Sequence, residues 1–244
     1  MKPFLVHYLA MSVLIMGGAI ASSANASIVL SNTRVVYEES EGEANVKLTN
    51  TGQQPLVVQS WIDDGDLDTS SSLIKSPFIL MPPISRIDSN KGQTLRLIYT
   101  GDTLPKEHES VFYLNVQEIP PKADTSSDKN IIQVALRTRI KVFFRPNDIK
   151  GTQVEAPQQL VWNLIKGDAS WILECTNPSS YHVSMSEVAL STGSHAHIVG
   201  DGMVAPGGKL NIPVNAISNE TKEVKFKSID DYGAIREHSY SLVK

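Results

Sequence analysis

Ile131-Ile-Gln-Val-Ala-Leu-Arg-Thr-Arg-Ile-Lys-Val-Phe-Phe144 is the stretch on which the fold turns. It runs 14 residues without a breaker, against a usual strand of about five or six, and at ~3.3 Å per residue it would reach roughly 45 Å. Strand side chains alternate between faces. Ile132, Val134, Leu136, Thr138, Ile140, Val142 and Phe144 therefore form an apolar face, and Gln133, Arg137, Arg139 and Lys141 a polar, basic one. Pattern alone is equally compatible with a central strand filling its own core; the length is what sets this one apart.

Working outward, Ala44–Asn50, Leu56–Asp63, Gln93–Tyr99 and Val111–Ile119 are alternating or rich in β-branched and aromatic residues, and helical periodicity is nearly absent. Turn signals separate them at Asn50-Thr-Gly52, Asp64-Gly65, Met81-Pro82-Pro83, Ser89-Asn-Lys-Gly92 and Thr100-Gly101, a spacing typical of antiparallel sandwiches. After Arg145-Pro146-Asn147 the chain turns polar through Gly151. The pattern then resumes in Leu160–Ile165, Trp171–Asn177, Val183–Leu190, Lys209–Val214, Val224–Ile229 and Ile235–Val243. The expectation is an all-β protein with one domain over residues 27–147 and a second over 148–244.

Residues 1–26 read as a signal peptide: Lys2 supplies the positive start, Leu9 to Ile20 an apolar stretch, and Ala24-Asn25-Ala26 an A-x-A cleavage site. The apolar stretch is shorter than the roughly 20 residues of a spanning helix, so export is expected rather than membrane anchoring. Of 244 residues, 41% are hydrophobic and 20% charged, which suits a folded globular chain. The formal net charge is −4, and losing Lys2 makes it −5; nothing suggests a nucleic-acid binder. Cys175 is the only cysteine, so no intramolecular disulfide can form, and its place in Trp171-Ile-Leu-Glu-Cys175 suits a small buried hydrophobe.

Motifs that would carry chemistry are weak. Counting from Asp64, the run Asp64-Gly-Asp66-Leu-Asp68 has Thr69 and Lys75 where a calcium loop needs Gly and Glu. His195-Ala-His197 has no identifiable third metal ligand and sits beside Ser-Thr-Gly-Ser, which reads as an exposed loop. No Gly-x-Ser-x-Gly elbow, Walker loop or His-Glu-x-x-His helix occurs. No enzyme, cofactor or metal is expected. Arg34 follows the short apolar strand at Ile28-Val-Leu30; if the first and last strands of this domain approached, Arg34 and Lys141 would converge, and otherwise each cation would meet one of the 26 acids.

Four stretches together resemble the periplasmic pilus chaperone family: Thr33-Arg34-Val-Val-Tyr37, Pro77-Phe-Ile-Leu-Met-Pro-Pro83, Glu109-Ser-Val-Phe-Tyr-Leu-Asn-Val-Gln-Glu-Ile-Pro-Pro121 and Gln133 through Pro146, with Asp230-Asp231-Tyr-Gly233 further on. The chain departs from the family at Glu107 and His108, where a short polar residue and a basic or amide one are usual. The resemblance implies two immunoglobulin-like β-sandwich domains at an angle with a cleft between them. It also implies capture of pilus subunits by a donated edge strand, with Ile132, Val134 and Leu136 entering the subunit, Arg34 and Lys141 binding its C-terminal carboxylate, and delivery to an outer-membrane usher. Glu118, Arg145 and Asp231 match the family's interdomain salt bridges, with Asp230 as an alternative partner. The short segment from Pro120 to Asn130 implies the short-loop branch, which assembles rod-like pili. A free copy could cap its own apolar edge as a homodimer. A rival reading, a fibre subunit that polymerises through the same edge, lacks the N-terminal donor extension it would need.

Overall fold

Alternation with a period of two builds the first domain. In β3 (Ala44–Asn50), Ala44, Val46 and Leu48 are buried while Asn45 and Lys47 face solvent, and β4 (Leu56–Asp63) and β7 (Gly92–Tyr99) follow the same rule. The computed structural model describes residues 27–66, 76–101, 103–119, 134–167, 170–192, 195–215 and 221–242. The expected signal peptide, Ile132 and the segment from Pro120 to Asn130 lie outside the described residues. With β1 (Ile28–Leu30), β2 (Arg34–Glu38), β5 (Phe78–Met81), β6 (Ile84–Ile87), β8 (Ser110–Ile119) and β9 (Arg137–Arg145), these strands form two sheets, ordered β1-β3-β7-β5 and β2-β9-β8-β4-β6. Between them lies an apolar core of Val46, Leu48, Leu95, Leu97, Leu114 and Val142. An aromatic cluster closes one end, with Phe144 4.5 Å from Tyr99 and 5.8 Å from Tyr37, centroid to centroid.

The first strand changes sheets. β1 pairs with β3 in one sheet, the chain crosses at residues 31–33, and β2 pairs with β9 in the other, Arg34 opposite Lys141 through Glu38 opposite Arg145. That pairing is parallel; every other pairing among the described strands is antiparallel. Because β2 starts opposite Lys141, residues Arg137–Ile140 have β8 on one side and no described strand on the other.

Of the long strand expected over Ile131–Phe144, residues 131–133 lie outside the described residues, 134–136 are not in a strand, and β9 spans Arg137–Arg145. The cause is its partner. The β8 ladder runs from Ser110 opposite Phe144 to Gln117 opposite Arg137, and beyond it a single bond continues, from the Glu118 amide to the Leu136 carbonyl at 2.8 Å.

In the second domain, β10 (Val161–Lys166), β11 (Trp171–Thr176) and β14 (Lys209–Val214) form one sheet. The other holds β13 (His195–Val204), β12 (Val183–Thr192), β15 (Thr221–Ile229) and β16 (Ile235–Ser241). Trp162, Leu173, Val188, Val224 and Phe226 fill the core between them. Cys175 is fully buried there, and burial pushes its thiol up to about 12. The expected loop at His195-Ala-His197 is instead the start of β13, whose ladder sets His197 opposite Leu190. Pairing with β12 overrides the polar composition of the segment, and both imidazoles lie on exposed residues. No group of three metal-ligating side chains occurs among the described residues.

Phe144 touches both sheets' aromatic residues, so Phe144→Ala is expected to destabilise the chain by roughly 3–5 kcal/mol, measured by urea unfolding. A loss within about 0.5 kcal/mol, the scale of an inconsequential surface change, would contradict its place in the aromatic cluster of the core.

Candidate functional site

The outer face of β9 and the second domain meet across a cleft, and parity decides which residues enter it. Val142 and Phe144 point into the first core, so Lys141, Phe143 and Arg145 point out. The parallel register sets Arg34 beside Lys141 on the same face. Each cation reaches a neutral oxygen of the second domain. Arg34 Nη1 donates to the Ile229 carbonyl at 3.0 Å and Lys141 Nζ to Ser184 Oγ at 3.0 Å. The Arg34 guanidinium lies 5.8 Å from the Phe143 ring centroid, and its Nε is buried with no hydrogen-bond partner. Among the described residues no carboxylate comes within ion-pair distance of either cation.

Two adjacent desolvated cations disfavour each other. Burial, and then the charge of Arg34, hold Lys141 below the ordinary lysine range. Burial also lowers Arg34, against the opposing pull of Asp231, Asp230 and Glu109. An anion placed between them would relieve both terms of this cost. The unpaired Nε supplies a ready donor.

Arg145, two positions further along the same face, is held differently. Its guanidinium bonds Glu38 at 2.9 Å, Glu109 at 2.9 Å and Asp231 of the second domain at 3.0 Å. Burial alone would lower its pKa; the hydrogen bonds and charges of Asp231 and Glu109 overcome that and raise it. Glu109 also crosses the cleft, accepting from the His182 amide at 2.9 Å. Asp230 does not join this cluster. It accepts from Arg236 and from the Tyr232 and Ala234 amides, closing the turn between β15 and β16. That turn sits hard against β2. Gly233 has φ +83°, and a Cβ there would lie 2.5 Å from Thr33 Oγ1, so only glycine fits.

Glu118, expected in the interdomain network, is not part of it. It shares the inward parity of Phe112, Leu114 and Val116 and lies at the far end of β8, where its carboxylate accepts from the Ile28 amide at 3.0 Å. Glu109 occupies the role instead: it precedes Ser110, whose partner in the β8–β9 ladder is Phe144, and its carboxylate reaches Arg145 there. The sequence signal was present in Glu109-Ser110, and only the register separates the two acids. Of the expected donor residues, Val134 is 66% and Leu136 44% exposed.

Two immunoglobulin-like sandwiches meeting at a cationic cleft, with half of one strand edge uncovered by any described strand, form the architecture of an assembly chaperone. Residues 27–150 match the family described as pili and flagellar-assembly chaperone, PapD N-terminal domain, and residues 155–240 that described as pili assembly chaperone PapD, C-terminal domain. The probable fimbrial chaperone YadV of Escherichia coli (strain K12) is 41% identical over 229 residues, covering 92% of this chain and 93% of that one. The chaperone protein FimB/FhaD of Bordetella pertussis (strain Tohama I) is 34% identical, covering 92% and 91%. The crystal structure of the YadV chaperone superposes with a TM-score of 0.76 at 39% identity, over 89% of this chain and all of the other. The chain belongs to the pilus-assembly chaperone family, and its function is assembly, not catalysis.

Removing one partner of a buried ion cluster strands the others. Glu109→Gln is therefore expected to destabilise the chain by roughly 3–5 kcal/mol and to widen the spread of domain orientations seen by small-angle X-ray scattering. Glu118→Gln should leave the scattering profile unchanged; the opposite ranking would restore Glu118 to the cluster.

Proposed function

We propose that the protein is exported by cleavage after Ala26, captures pilus subunits in the periplasm by adding its β9 edge to their open sheet, and hands them to an outer-membrane usher without ATP. The family's work in the periplasm and the sequence features of residues 1–26 support the location. The observation that carries the reading is the half-covered β9. Among the described residues its Arg137–Ile140 backbone has one strand partner, and Val134 and Leu136 stand exposed beside it. An edge in this state pairs readily with another chain. In capture, Ile132, Val134 and Leu136 enter successive subunit pockets, each contributing roughly 1.5–3 kcal/mol before the cost of association.

Alternating aliphatics leave the register free to slip by two residues. Arg34 and Lys141 fix it by binding the subunit's terminal carboxylate through charge-assisted hydrogen bonds. Their proximity, their shared desolvation and the spare Arg34 Nε support that role. In the free protein the same exposed edge is available for self-capping as a homodimer.

Arg34→Ala and Lys141→Ala should each abolish recovery of a co-expressed subunit from periplasm while circular dichroism stays that of the parent; normal recovery with both would contradict the anchor. Val134→Glu should weaken capture through the strand alone, and unchanged affinity would argue against insertion.

Capture should also have an alkaline limit. Lys141 must be charged to hold a carboxylate, and its lowered pKa makes it lose its proton before an ordinary lysine does. Between that lowered value and the unfolded one, the unfolded chain binds more protons, so stability of the free protein rises with pH as capture falls. Pull-down yield and thermal unfolding across alkaline pH test this, and Lys141→Arg should move the limit upward. Parallel movement of yield and stability would exclude Lys141 as the titrating group.

A further inference from the structure

The uncovered half of β9 carries, on its outer face, a cluster that neither the carboxylate anchor nor the interdomain contact uses. Asp63, the last residue of β4, is fully buried there. Its Oδ1 accepts from Arg139 Nη2 and from the Gly65 amide at 2.9 Å, and its Oδ2 from Asn115 Nδ2 at 2.5 Å. Arg137 turns Nε and Nη2 onto Asn115 Oδ1 at 2.8 and 2.6 Å and lies 3.6 Å from Asp63. Each guanidinium also covers a ring, Arg139 at 3.7 Å over Tyr113 and Arg137 at 4.9 Å over Trp61. The contacts run from β9 across β8 to β4, tying three strands together. Burial opposes the charge on Asp63, yet the bonds from Arg139, Asn115 and Gly65 hold its pKa below the usual carboxylate range.

Apolar side chains would hold a sheet together as well as a buried ion cluster does, so stability alone does not account for these residues. What forked guanidiniums add is direction. They fold the two long side chains nearest the vacant edge back across the sheet, clear of the backbone groups a partner must reach. An edge held by one ladder opens locally at little cost, and ordering it at capture would subtract from binding. We propose that Asp63 is a positioning residue for strand donation: through Arg139, Asn115 and Arg137 it keeps the uncovered segment extended, in register with β8 and unobstructed. The role rests on the reading of this edge as the donor.

The test compares the parent chain with Asp63→Asn, Arg139→Gln and the double variant. One measurement is the rate of capture of a pilus subunit that has been co-purified, denatured and diluted into chaperone. The other is hydrogen exchange at the amides of residues 137–140 against 141–145. Each single change should slow capture about tenfold, within the one to three decades that association rates span among variants of one interface. The double should be no slower than either single, and exchange should accelerate only at 137–140. Wild-type capture rates in all variants would overturn the role, as would exchange accelerating equally over both segments, the mark of general destabilisation. Failure of the parent chain to capture would instead bring down the donor-edge reading, and this role with it.

Discussion

A parallel ladder of five residue pairs between β2 and β9 governs the working parts of this chaperone. It seals the Lys141–Arg145 half of β9 and leaves the preceding half open, and the same register sets Arg34 beside Lys141 where the seal begins. Had the first strand stayed in the sheet where β1 lies, both cations would have lost their neighbour. Had it entered the second sheet earlier, the open edge would have been covered by the chain itself.

The outer face of β9 then divides by how its charges are met. Arg145 and the Arg137–Arg139 pair are paired with acids and an amide, which suits them to holding geometry. Among the described residues the hydrogen bonds of Arg34 and Lys141 go to a carbonyl and a hydroxyl. Buried or half-buried cations with neutral partners bear a desolvation cost that an incoming anion can offset. The contrast along one strand supports assigning recognition to one pair and rigidity to the others.

Much of this was legible in the residues. Binary alternation identified most strands of both sandwiches, and the parity of the 131–144 stretch separated an apolar from a basic face. What escaped was whatever depends on pairing. The start of β9 at Arg137 follows from the end of the β8 ladder, and β13 forms because β12 offers it an edge, although its first residues look like a loop. Glu118 and Glu109 differ by parity and by position along one strand, and without the register either can be matched to Arg145. Asp63 stands in the sequence only as the last residue of the Leu56–Asp63 strand, since its partners come from strands distant in sequence.

The close seating of Gly233 on Thr33 bears on how the cleft behaves in different surroundings. The two sandwiches approach there too closely for a side chain at residue 233, beside an ion cluster whose Arg145 and Glu109 are withdrawn from water. Mobile ions screen exposed charges but neither steric contact nor sequestered pairs to the same degree. A junction made of close packing and a largely buried ion cluster is less sensitive to ionic strength than a hinge built from surface ion pairs.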